Sequence, residues 1–323
     1  METAIEATDL KKTYGDDVEA LRGISFEVEK GKVFGLLGPN GAGKSTTVKI
    51  LTTLSKATSG SARVAGFDVD KQANEVRHSI GVVTQKSGAM VEATGRENLR
   101  IQGQLFGIPK ADLEARVDEL LDLFGLTEAA DRIVKTYSGG MQRKLDVAIG
   151  LIQRPQVLFL DEPTTGLDPE ARSEMWAEIS RLAGEEQLTI LLTTHYLDEA
   201  DNLADTLAIV DRGEIVARGT PDSLKAELKG DAVRAELAGE PQDGEVQCVL
   251  GALEVVNEVS VDGTMVLARS DNGASAVPHV LGALDGAGIE VASITVARPS
   301  LDDVYLQFTG RRYEEADKQE VDA

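Results

Sequence analysis

Cysteine is almost missing from this 323-residue chain: Cys248 stands alone. One cysteine cannot close an internal disulfide, which fits a reducing cytoplasm. Long hydrophobic runs are missing too. No stretch approaches the roughly 20 apolar residues that a membrane helix needs. The most apolar late segment, 277–297, is broken by Pro278, His279, Asp285 and Glu290. Met1-Glu2-Thr3 shows no basic segment followed by an apolar core, so a secretory leader is not expected. Basic residues are in short supply: 33 Lys and Arg against 55 Asp and Glu give a net charge of −22. Such a surface repels nucleic-acid phosphates and anionic lipid heads, so no nucleic-acid partner is expected. Membrane association would then run through a protein partner. The acidic excess fits an ordinary soluble protein or one suited to a salt-rich cytoplasm.

What is present is a soluble globular composition, 27% charged and 42% hydrophobic, long enough for two domains. Its most informative stretch is Gly38-Pro39-Asn40-Gly41-Ala42-Gly43-Lys44-Ser45, followed by Thr46. This fits G-x-x-x-x-G-K-[ST] at every fixed position. Glycines let successive N–H groups curl toward an anion with no Cβ in the way. The apolar run 33–37 precedes the loop as a buried strand, and a helix opens after it, its free N–H groups facing the phosphate. Lys44 can reach β- and γ-phosphates, and the Ser45 hydroxyl can ligate Mg²⁺. A nucleoside-triphosphate site is expected. The motif alone does not separate a GTPase, a kinase and a transport ATPase.

Four apolar residues, 157–160, then Asp161 and Glu162, read as a buried strand delivering two carboxylates to the ligand edge of an open α/β sheet. Asp161 would hold the Mg²⁺ hydration shell, and Glu162 would orient or deprotonate the attacking water. In isolation the same pair reads equally well as a solvated strand end; the phosphate loop upstream tips the balance. Ser138-Gly139-Gly140 is a helix start behind a cap, a second anion site. It is most useful against the same nucleotide from across a dimer interface.

With these motifs the chain resembles the nucleotide-binding subunit of ATP-binding-cassette (ABC) transporters over residues 3–228. The resemblance implies that Ser138, Gly139 and Gly140 contact the γ-phosphate of ATP held by a second copy. It makes Gln85 the glutamine that approaches Mg²⁺ and water, on a loop that touches the membrane subunit. Asp168, in Gly166-Leu167-Asp168, becomes part of a loop crossing the dimer interface. His195 becomes the switch histidine near the γ-phosphate, and Tyr14 an aromatic stacked on adenine. Met141 stands where many members of the broad family carry glutamine, and Lys144 where a subset has arginine. Tyr137 to Met141, Leu197 to Asp201 and the ending Ser300-Leu301-Asp302-Asp303-Val304-Tyr305 look most like the daunorubicin-resistance type of exporter ATPase. That subgroup implies export of a drug, antibiotic or other lipophilic compound through a separate transmembrane permease, and peripheral attachment at the cytoplasmic membrane face. The alternative is a soluble cassette ATPase acting on DNA or ribosomes. Against it stand the short, heptad-free stretch between Lys44 and Ser138 and the single cassette.

The expected architecture is α/β. A P-loop ABC ATPase domain, 1–228, has a mainly parallel core sheet, an antiparallel β-subdomain over 3–30 and a helical subdomain over 95–133, broken at Gly107-Ile108-Pro109. A small α+β domain, 229–310, reads as βαββαβ with a hairpin turning at Asp262-Gly263 and a last helix from Ser300 to Gly310. It carries no catalytic constellation; dimer support or ligand sensing is the role expected of it. Residues 311–323 read as a charged, frayed tail.

Overall fold

The structure, a computed structural model, describes residues 2–15, 18–228, 230–239, 241–242, 244–311 and 313. The chain divides into two compact units, 1–221 with 311–323, and 222–310.

The first unit is organised by a six-stranded sheet. In spatial order its strands are Glu214–Gly219, Thr206–Asp211, Val33–Leu37, Thr189–Thr194, Val157–Asp161 and Ile80–Val83. All neighbours pair in parallel except the edge hairpin at Glu214–Gly219. Parallel strands covered on both faces need apolar side chains everywhere, and Val33–Leu37 is buried at all five positions. The pleat sends alternate residues to opposite faces. Val33, Leu158, Leu160, Ile190 and Leu192 enter one hydrophobic core. Phe34, Leu36, Val157, Phe159 and Leu191 enter another.

A four-stranded antiparallel sheet closes the second of these cores, in the order Val18–Glu29, Thr3–Tyr14, Ser59–Val64, Phe67–Asp68. Ile24, Phe26 and Val28 point into the core while their neighbours face solvent, as the sequence alternation predicts. The first core is closed by helices Gly95–Leu105 and Lys110–Leu123 and by Gly139–Leu151. Thr94 and Glu97 form a reciprocal capping box at the first of these helices. Gly107, at φ +72°, lies between it and the second.

The second unit holds a sheet in the order Glu258–Asp262, Met265–Ser270, Asp231–Leu237, Val291–Ala297, every neighbour antiparallel. Helices Glu245–Gly251 and Gly273–Gly286 pack on it to form their own core. The chain therefore runs βαββαβ, with the first and second strands split by the third. The hairpin turns at Asp262-Gly263, and Gly263 takes φ +53°. Helix Leu301–Thr309 follows, capped by Ser300 and ended by Gly310 at φ +73°. The expected frayed tail lies outside the described residues except for Arg311 and Tyr313. Arg311 donates to Asp211 at 2.7 Å.

Candidate active site

The phosphate loop hangs between strand Val33–Leu37 and helix Lys44–Leu51. Gly43 caps that helix at φ +108°, with no side-chain cap. A Cβ there would sit 2.7 Å from the Ala20 carbonyl and 2.8 Å from Leu21, and one on Gly38 would strike the Val210 carbonyl oxygen. Both positions therefore require glycine. Lys44 is buried at 4% exposure, and its Nζ donates to the carbonyls of Gly38 at 2.6 Å and Pro39 at 2.9 Å. The Gly38 amide donates to the Thr194 carbonyl at 3.3 Å, which ties the loop to the residue before His195.

Strand Val157–Asp161 brings the carboxylates alongside. Asp161 Oδ1 accepts from the Ser45 hydroxyl at 3.3 Å and from Thr193 at 2.6 Å. The chain then bends sharply: Glu162 takes φ +49°, and its amide donates to the carbonyl and hydroxyl of Thr193, both at 3.1 Å. The bend buries the Glu162 carboxylate among four groups. Gln85 Nε2 donates to its Oε2 at 2.9 Å, and the Thr165 hydroxyl to the same oxygen at 3.2 Å. Oε1 lies 3.3 Å from His195 Nδ1 and 3.9 Å from Lys44 Nζ. The His195 approach lacks hydrogen-bond alignment, so we count it as a charge contact, present when the imidazole is protonated. Burial pushes the Glu162 carboxyl up; His195, Lys44 and Thr165 outweigh it and hold the group below the ordinary carboxylate range. Lys44, Ser45, Gln85, Asp161, Glu162 and His195 thus meet at one sheet edge.

The other candidates stand apart from this cluster. Ser138 caps helix Gly139–Leu151, accepting from the Met141 amide at 3.2 Å. A Cβ on Gly140 would come within 3.1 Å of Ala171, so the Ser138-Gly139-Gly140 turn, which opens what we call the signature helix, Gly139–Leu151, lies against the helix that Asp168 caps through the Ala171 amide at 2.9 Å. Tyr14 ends strand Thr3–Tyr14, 40% exposed, with the Lys12 ammonium 4.8 Å from its ring centre. Lys144, the departure on the signature helix, pairs with Glu174 at 2.7 Å.

Three buried charges around this site escaped the sequence analysis. Arg143 is 7% exposed and donates to four main-chain carbonyls: Pro163 at 2.6 Å, Thr84 at 2.6 Å, and Asp161 and Glu162 at 3.2 Å each. Asp146, on the same helix, accepts from the Ser87 hydroxyl at 2.9 Å and the Gly88 amide at 3.1 Å. Glu199 is fully buried, accepting from Thr164 at 2.7 Å and Trp176 at 3.1 Å, and burial raises its carboxyl.

The donor set suits Mg²⁺. Ser45 and Asp161 offer hard oxygens side by side, and this ion commonly takes one or two protein oxygens and completes its shell with water and phosphate. Among the described residues no cluster of three or more His, Cys, Asp or Glu side chains competes for a metal, and no helix is long and apolar enough to cross a membrane.

Comparison with known proteins gives a consistent picture. Residues 21–165 match the family described as ABC transporter, and 219–309 match that described as ATP-binding protein DrrA1-3-like, C-terminal domain. The daunorubicin resistance ATP-binding protein DrrA3 of Streptomyces coeruleorubidus is 44% identical, with 98% of this chain and 99% of that protein covered. The linearmycin resistance ATP-binding protein LnrL of Bacillus subtilis is 34% identical, with 95% and 98% covered. Among solved structures, cbiO1 from Clostridium perfringens, part of the ABC transporter complex cbiONQ, superposes with a TM-score of 0.66 at 28% identity. That match covers 70% of this chain and 92% of that one.

Proposed function

The chain belongs to the ATP-binding subunits of ABC transporters, in the group with a DrrA1-3-like C-terminal domain, and from that membership we propose how its residues drive an exporter. It is an ATPase of that family. Two copies sandwich two ATP molecules, each between Lys44 of one chain and Ser138-Gly139-Gly140 of the other. The observation that carries this reading is the convergence of Gln85, His195 and Lys44 on the one Glu162 carboxylate.

In this mechanism Lys44 neutralises the β- and γ-phosphates. Gln85 and His195 hold a water in line with the γ-phosphorus. Glu162 accepts that water's proton. A carboxylate held low is a weak base, but phosphoryl transfer passes through a loose transition state that asks for little proton abstraction early. Glu162 therefore contributes chiefly by orienting the water. Ser45 and Asp161 would hold Mg²⁺, which when bound supplies positive charge against the phosphate oxygens. Tyr14 stacks on adenine, and the loop of Asp168 crosses the dimer interface. The γ-phosphate binds the closed dimer better than the open one; that difference in affinity is the only way a ligand can shift the equilibrium. Its loss lets the chains part, and the loop around Gln85 passes the motion to a separate permease, which holds the chain at the cytoplasmic membrane face. The cargo is a drug-like or otherwise lipophilic compound, supported by the resistance proteins among the relatives.

Replacing Glu162 by Gln keeps the shape and removes both the charge that orients the water and the acceptor for its proton. Turnover is expected to fall by about 10²–10⁴-fold, with a dimer accumulating in Mg-ATP by light scattering. A variant that hydrolyses ATP at near wild-type rate, or stays monomeric at saturating Mg-ATP with the permease present, overturns the reading.

A further inference from the structure

Gln85 lies on an exposed segment, yet its backbone is fixed on both sides. Upstream, the Thr84 carbonyl accepts from Arg143. Downstream, the Ser87 hydroxyl and Gly88 amide donate to Asp146. Both anchors belong to helix Gly139–Leu151, three residues apart and so on one face. The same Arg143 guanidinium also takes the carbonyls of Asp161, Glu162 and Pro163. Guanidinium is a planar fork with five fixed donors, so it cannot follow one of these carbonyls without dragging the others. Its hydrogen bonds all go to main-chain carbonyls. It therefore sets where the backbone of Gln85 and Glu162 lies, and hence the 2.9 Å contact between their side chains.

We propose that Arg143 is a positioning residue that locks Gln85 and Glu162 to the signature helix, so that whatever grips Ser138-Gly139-Gly140 is felt at the chain's own hydrolytic carboxylate. This rests on the nucleotide-sandwich reading above. In a sandwich the signature of one chain closes on the partner's ATP. A helix held there holds Gln85 and Glu162 of its own site in register through Arg143 and Asp146. The two nucleotides are thereby linked through each chain's interior, a route separate from contacts across the interface.

The test uses full-length protein, with ATP binding counted by calorimetry and hydrolysis expressed per ATP-binding chain. For Arg143→Lys, which keeps the charge and loses the fork, kcat falls about tenfold or more while ATP affinity stays within about twofold, because misplacement touches the reaction and not the phosphate cradle. Ser87→Ala, a change on the exposed loop that spares the core, lowers the same quantity by about threefold, the scale of one net hydrogen bond. A merely structural Arg143 would reduce the number of binding chains and leave kcat per binding chain intact. That result, or Ser87→Ala matching wild type, overturns the inference. Wild-type protein that binds but never hydrolyses ATP would instead sink the functional reading beneath it.

Discussion

Glu199 shows how one buried residue can carry a pH dependence. Unfolded, a glutamate titrates near ~4.3; folded, burial raises Glu199 above that value. Between the two values the folded chain holds the extra proton. Its stabilising share is full below ~4.3 and is lost as pH rises through the folded value. A glutamine in its place has no proton to lose. The melting temperature of Glu199→Gln should therefore gain on wild type as pH rises from ~4.3 through the raised folded value; a difference that stays flat from ~4.3 upward would contradict the shift. Residues of this kind were not legible in the sequence. The phosphate loop could be read because the chemistry dictates residue type and spacing together, and Gly38 and Gly43 have no alternative once neighbouring carbonyls crowd them. Arg143, Asp146 and Glu199 look like any charged residue on a solvated helix face. Only the packed structure turns them inward. Nor does the sequence foretell the left-handed turn at Glu162, a glutamate where glycine or asparagine would be the natural choice.

At the scale of elements, the signature helix separates a stability role from a contact role. Ser138 caps it, and loss of such a cap to alanine costs about 1 kcal/mol, against a few tenths for glycine. Ser138→Ala should thus lower the urea midpoint more than Ser138→Gly does. Both should cut ATP hydrolysis, because both remove the hydroxyl proposed to meet the γ-phosphate. Unimpaired hydrolysis in both variants would leave Ser138 a cap and nothing more. Elements with strong local grammar were legible: the five-residue apolar strands, the Asp262-Gly263 hairpin and the closing helix behind Ser300. Weaker ones were not. Helix Ala73–Ser79 has a single buried residue, Val76, and the two-residue strand Phe67–Asp68 has no period to detect. Their pairing partners, not their own sequences, make them.

Over the whole molecule, a net charge of −22 sets carboxylates against one another. Most of the ion pairs that could answer them lie at the surface, where each contributes little and salt screens it. At ~1 M salt the Debye length shrinks to about 3 Å, so long-range repulsion fades. The melting temperature should rise as KCl goes from about 0.1 to about 1 M; a fall would mean that the pairs outweigh the repulsion. The division of sheet residues between two apolar cores has a different outcome. Helix Lys44–Leu51 is bonded to one layer, helix Gly139–Leu151 to the other, and the strands serve as a shared wall. The body is built like plywood. Each board has its own glue line, and in the proposed sandwich the helix start that faces this chain's nucleotide and the one that reaches for the partner's are mounted on opposite boards.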